Sequence, residues 1–128
     1  MQLNKLDHVN VRTENVDAMI AWYTNILGMR SGDRPNFAFP GAWMYIGDQA
    51  AVHLVGVEKD SGFGSESNLK LEHFAIAATG LKEFQAKLDA AGEKYERRDV
   101  PGGIITQFNI WDPDGNHIHI DFPTSEAA

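Results

Sequence analysis

Four of the five histidines in this 128-residue chain fall at matched places in two halves, and that repetition limits the folds open to it. His8 and His53 stand 45 residues apart, His73 and His119 stand 46 apart, and the halves are offset by 65 residues at the front and 66 at the back. Around each pair the signals recur in one order: an alternating strand with the first His, an amphipathic helix stopped by Gly, hairpin segments, then a strand with the second His. That order predicts an α+β chain of two βαβββ modules, at about 3–58 and 70–123, joined by a linker at about 59–69. The linker assignment rests on the Ser, Gly and charged residues between Glu58 and Lys70. The whole chain, 1–128, fits a single domain.

The closing hairpin carries the densest chemistry. Asp112-Pro113-Asp114-Gly115 is a turn, because Pro presets one φ and Asp-Gly supplies left-handed-tolerant positions. After it His117, His119 and Asp121 alternate with Ile118, Ile120 and Phe122, so two imidazoles and a carboxylate share one strand face. Such residues are poor core filler and read as the wall of a polar, metal-binding cavity. His117 lies nearer the turn, where contact with an entering substrate or solvent is expected rather than ligation.

Earlier in the chain, Leu6 to Arg12 alternates as a strand with His8, Asn10 and Arg12 on one face. Val16, Met19, Ile20, Tyr23, Ile26 and Leu27 have helical spacing, with Asn15 or Thr13 as the cap and Gly28 as the stop. Strand composition recurs at Phe37–Pro40, Trp43–Gly47, Ala51–Val57, Leu71–Ala77, Glu93–Arg98 and Ile104–Trp111. Thr79 is the expected cap of a second helix that Gly92 closes, and the tail from Thr124 is expected to fray. Of Arg97 and Arg98, at most one can face a cavity, since neighbours in a strand point oppositely.

The net charge of −7 and pI near 5.1 argue against a nucleic-acid or anionic-membrane partner. The absence of cysteine excludes disulfides, thiol catalysis and thiolate ligands. Met1 to Lys5 lacks the apolar core of a signal peptide, so the expectation is a cytoplasmic protein.

The segments Leu6-Asp7-His8-Val9, Trp22 to Met29, Phe39 to Tyr45 and Asp112 to Asn116 together resemble the vicinal oxygen chelate superfamily. This superfamily includes glyoxalase I, bleomycin-resistance proteins and extradiol dioxygenases. The likeness runs from about Leu3 to Phe122. It implies two βαβββ modules forming a curved, half-open barrel around one divalent transition metal (Zn, Ni, Fe or Mn), with His8, His53, His73 and His119 at the ligand positions. It also implies a small-molecule substrate and a homodimer. The family's commonest last ligand is Glu, so His119 departs from the glyoxalase I pattern and removes the ligand carboxylate that serves there as base.

Four neutral imidazoles leave the ion's charge uncompensated, which favours a bound anionic oxygen. The resulting expectation is a glyoxalase-like lyase or isomerase that chelates a small oxo- or hydroxy-substrate and stabilises an enolate or alkoxide. Asp121 is the candidate base, or the carboxylate on a ligand's other ring nitrogen. Glu72, neighbouring His73, is expected on the opposite face. Arg12 is the candidate for an anionic substrate group, and Trp43 and His117 for substrate contact. The alternatives are an Fe(II) ring-cleaving dioxygenase, whose two-His-one-Glu pattern fits less well, and a non-catalytic small-molecule binder of the bleomycin-resistance kind.

Overall fold

The structure is a computed structural model that describes residues 1–2, 4–59 and 71–128. Most of the expected linker therefore lies outside the described residues. The chain divides into two compact units, Met1–Gly64 and Ser65–Ala128.

The first unit runs β1 (Val9–Thr13), α1 (Val16–Asn25), β2 (Arg30–Gly32), β3 (Gly41–Ile46) and β4 (Gln49–Gly56). Its open sheet has the order β1-β4-β3-β2, with β1 and β4 parallel and the other pairs antiparallel. The α1 stripe Met19, Trp22, Tyr23 and Ile26 is buried, as are Ala42, Met44, Val52 and Leu54 from the sheet. Apolar burial of this kind stabilises by roughly 25 cal/mol per Å². Trp22 and Tyr23 are thus core residues.

Asn15 occupies the N-cap position without a side-chain cap, and Thr13 Oγ1 instead accepts the Asn15 N–H at 2.9 Å. Gly28 adopts φ 69° just beyond the helix, as its place in the sequence predicts. One expectation fails here. Phe37–Pro40 is not a strand: the Phe37 and Phe39 rings stack at 4.8 Å and the Arg34 guanidinium lies over both. Gly41 opens β3, and a Cβ there would sit 2.2 Å from the Leu54 carbonyl oxygen, so the position needs glycine for close approach.

The second unit repeats the order: β5 (Phe74–Ala77), α2 (Leu81–Ala91), β6 (Tyr95–Asp99), β7 (Ile105–Trp111) and β8 (His117–Pro123), then a 3-10 turn at Thr124–Ala127. Its sheet order, β5-β8-β7-β6, matches the first, with β5 and β8 parallel. One face of this sheet buries Phe108, Ile110, Ile118, Ile120 and Phe122. Phe84 of α2 packs edge-on against Phe108 at 5.6 Å and lies beside Phe122 at 5.7 Å.

Thr79 does not cap α2. The N-cap is Gly80 at φ 88°, and the carboxylate of Glu126 accepts the N–H groups of Gly80 and Leu81 at 2.7 and 2.8 Å. The tail is correspondingly ordered rather than frayed, because a helix N-terminus holds free donors that a carboxylate satisfies well. The class is α+β with two βαβββ modules, as the repeat predicts.

Candidate functional site

In each unit the helix covers one sheet face and the histidines occupy the other. In the first unit, Asn10, His53, Trp43 and Gly32 form one row across β1, β4, β3 and β2, with Arg12 and Val55 in the next row. His8 immediately precedes β1, and its ring stacks on His53 at 3.8 Å with 8° between planes. Trp43 stacks on His53 at 4.0 Å and 11°, so His53 lies between two aromatic rings. His8 Nδ1 contacts the Asp7 carboxylate at 2.7 Å, and His53 Nε2 donates to the Ala50 carbonyl at 3.0 Å.

In the second unit, Ala75, His119, Asn109 and Glu96 form the equivalent row. His73 immediately precedes β5 and stacks on His119 at 3.8 Å and 13°, the counterpart of the His8–His53 pair. Glu72 holds His73 Nδ1 as Asp7 holds His8. Each front histidine thus has a carboxylate on Nδ1, an arrangement that fixes the ring and leaves Nε2 for a metal. Glu72 was expected on the opposite face. That expectation assumed a strand reaching back to Leu71, whereas β5 starts at Phe74, so strand alternation does not extend to Glu72. The same holds for Asp7 ahead of β1.

His117 is drawn into the second cluster. Its Nδ1 contacts the second oxygen of Glu72 at 2.9 Å and its Nε2 contacts Asn109 Oδ1 at 2.9 Å. Trp111 stacks against its ring at 5.3 Å. One nitrogen from each of His73, His117 and His119 lies within 4.8 Å of the others. His119 Nδ1 and Asp121 Oδ1 are both buried without a hydrogen-bond partner among the described residues. Asp121 therefore shares the histidine face, as expected, but is not the carboxylate that holds a ring nitrogen; Asp7 and Glu72 have that role.

Burial is the main cause that pushes the imidazoles of His53 and His119 below their ordinary value, and neighbouring histidines push the same way. Both are therefore held neutral, the form that ligates. Hydrogen bonds from His8, and from His73 and then His117, hold the Asp7 and Glu72 carboxyls below the usual carboxylate range. These donors suit a borderline transition ion better than Mg or Ca. An orphaned buried nitrogen on His119, carboxylates behind His8 and His73, and neutral back imidazoles all fit a metal.

Arg12 is exposed on the His53 side of its sheet. Arg97 turns to α2, where it donates to Gln85 at 2.9 Å, while Arg98 aligns with Gln107 and Asp121 on the histidine face. One of the two arginines faces each way. The Asp112 carboxylate accepts the N–H groups of Asp114 and Asn116, at 3.0 and 2.9 Å, and thereby locks the turn before β8. The Asp-Pro-Asp-Gly-Asn motif is thus structural. It sets where His117 begins the strand.

Residues 5–120 match the family model described as the Glyoxalase/Bleomycin resistance protein/Dioxygenase superfamily. The chain is 28% identical over 115 residues to lactoylglutathione lyase GLX1 of Arabidopsis thaliana, an alignment covering 84% of this chain and 40% of that protein. It thus spans less than half the length of the curated relatives it matches. Among solved structures it is similar to a glyoxylase/bleomycin resistance protein/dioxygenase domain from Frankia sp. EAN1pec, with TM-score 0.78, 16% identity, and 95% and 99% of the two chains covered. It is also similar to lactoylglutathione lyase from Agrobacterium tumefaciens, with TM-score 0.71, 15% identity and 98% of each chain covered. At these identities the structural likeness is one of fold.

Proposed function

The chain belongs to the Glyoxalase/Bleomycin resistance protein/Dioxygenase superfamily, and on that premise we propose that it is a metal-dependent lyase or isomerase acting on a small oxo- or hydroxy-compound. The observation that carries this reading is the matched pair of stacked imidazoles in each unit, His8 with His53 and His73 with His119, each front ring backed by a carboxylate. These are the proposed ligands of a divalent ion (Zn, Ni, Fe or Mn). When bound, such an ion polarises a substrate oxygen as a Lewis acid.

The protein groups supply the rest. Asp121, with a buried oxygen that has no partner among the described residues, is the proposed base that takes a proton from the substrate carbon. Arg12 attracts an anionic group of the substrate, and Trp43 offers an aromatic wall. A thiol adduct of an oxoaldehyde is the first substrate class to test, in keeping with the lactoylglutathione lyases the chain is similar to.

The test strips the protein of metal, reloads it with Zn, Ni, Fe(II) or Mn in turn, and offers the glutathione adduct of an α-oxoaldehyde under nitrogen. The expected result is metal-dependent conversion to the thioester. Oxygen uptake with a catechol by the Fe(II) form alone would move the reading to a dioxygenase. Metal-loaded protein inert toward every adduct would overturn it.

A further inference from the structure

The two units are not equal. Counting back two residues from the second-strand histidine gives His117 in the second unit but Ala51 in the first. His117 thus has no counterpart in the repeat, yet its ring lies against both members of the second pair. Its ring centroid lies 4.7 Å from His119 and 5.5 Å from His73. Glu72 holds both His73 and His117 by Nδ1, one imidazole on each oxygen. A single carboxylate therefore fixes two rings by the same nitrogen.

Ligand nitrogens at about 2.0–2.1 Å from a tetrahedral ion lie roughly 3.4 Å apart. In the second unit one nitrogen from each of three rings already lies within 4.8 Å of the others, so closing on an ion calls for side-chain rotation that draws them together. The buried Nδ1 of His119, without a partner among the described residues, is an independent sign that this cluster lacks something to bind. His117 Nε2 faces Asn109 Oδ1, and ligation exchanges that hydrogen bond for a metal bond.

We propose that His117 is a metal ligand, and that His73, His117 and His119 hold one divalent transition ion within the second unit without help from His8 or His53. This rests on the reading that the histidine faces bind metal, and it goes further by making one unit sufficient. Three imidazoles leave a fourth position open for water or a substrate oxygen, the arrangement of a catalytic rather than a structural site. Glu72 supplies negative charge directly behind two of the three rings.

The probe is Co(II), titrated into the tag-free full chain and followed by its visible absorption, with Zn competition for affinity. The variants are His8→Ala/His53→Ala, the same pair with His117→Ala, and His117→Ala alone; circular dichroism confirms each fold. His117→Gln serves if the alanine variant fails to fold. The double variant is expected to keep one Co(II) per chain with a tetrahedral spectrum. Adding His117→Ala is expected to weaken binding at least a hundredfold, beyond the 10–100-fold typical of losing an outer partner.

A double variant that takes up no Co(II), while the unaltered chain does, would overturn the proposal and leave the general metal reading standing. His117→Ala or His117→Gln with unchanged affinity and spectrum would also overturn it. An unaltered chain that binds neither Co(II) nor Zn would sink both readings together.

Discussion

Glu126 lies 46 residues from Gly80 and 45 from Leu81 in sequence, yet its carboxylate closes the N-terminus of α2. Gly80 brings no side chain to the cap, and the first helical bond, Phe84 N–H to the Gly80 carbonyl, leaves the earlier donors free. Glu126→Ala removes two charge-assisted hydrogen bonds. Loss of a side-chain cap costs about 0.5–2 kcal/mol, and loss of a negative charge at the helix start about 0.3–1 kcal/mol. Glu126 is only half-buried, so water recovers part of both contributions, and the net expectation is about 1.5 kcal/mol. Glu126→Gln keeps an acceptor and loses the charge, which is worth about 0.3–1 kcal/mol.

Urea unfolding followed by circular dichroism reads these differences at constant m-value, and about 1.5 kcal/mol corresponds to roughly 4–8 °C in Tm for a domain of this size. Amide exchange at Gly80 and Leu81 should quicken in both variants, more in the alanine. The reasoning fails if Glu126→Ala lies within about 0.3 kcal/mol of the unaltered chain, or if the glutamine variant loses as much as the alanine. Either result would mean that the tail does not hold the helix by charge.

Acid should destabilise the metal-free chain from near neutrality downward. His53 and His119 have folded-state values below the ordinary 6.5, so the unfolded chain binds more protons. The stability they contribute is fully present above the ordinary value and is lost as pH falls through that value toward the folded one. Urea midpoints in chelator at pH 7.5 and 5.0 check this, and His53→Gln/His119→Gln should flatten the difference; an equally steep fall in that variant would refute it. Asp121→Asn should lower kcat by 10²–10⁴ with metal content unchanged, which metal analysis beside turnover tests; activity within threefold would remove Asp121 as base. Arg12→Ala should raise KM for anionic substrates and leave kcat within a fewfold, since its proposed part is to attract the anion; an equal loss in kcat would place it nearer the chemistry. Phe108→Ala, at a fully buried position between Phe84 and Phe122, should cost about 3–5 kcal/mol in urea unfolding, and a cost below about 1 would contradict the packing.

The repeat was legible because strand alternation and helical spacing are local, and histidine makes matched positions conspicuous. Features set by distant partners were not. Arg30-Ser31-Gly32 has no apolar pattern and becomes a strand only by pairing with Trp43–Tyr45. Phe37–Pro40 has strand composition, but its aromatic rings find one another and Arg34 instead of a neighbouring strand. Glu126 carries no local sign of being a cap. The acidic residue directly before each front histidine, Asp7 and Glu72, was visible as a repeated dipeptide. Its meaning was hidden by extending the alternation too far toward the N-terminus.

The deviation from the repeat is more informative than the repeat itself. In the first unit the row through the second histidine places Trp43 beside His53, and the ring is closed between His8 and Trp43 with Nε2 on the Ala50 carbonyl. In the second unit the same place holds Asn109, a short polar side chain that cannot stack across a ring, and Nδ1 of His119 is left without a partner among the described residues. Two units of one topology therefore present different donors: a stacked, internally satisfied histidine in one, and an unsatisfied one beside a third imidazole in the other. A buried polar atom without a partner costs about 1–3 kcal/mol, so the second cluster is the less stable arrangement unless something binds there. That imbalance is why a metal titration which separates the two units, rather than one on the chain as a whole, bears most directly on the chemistry.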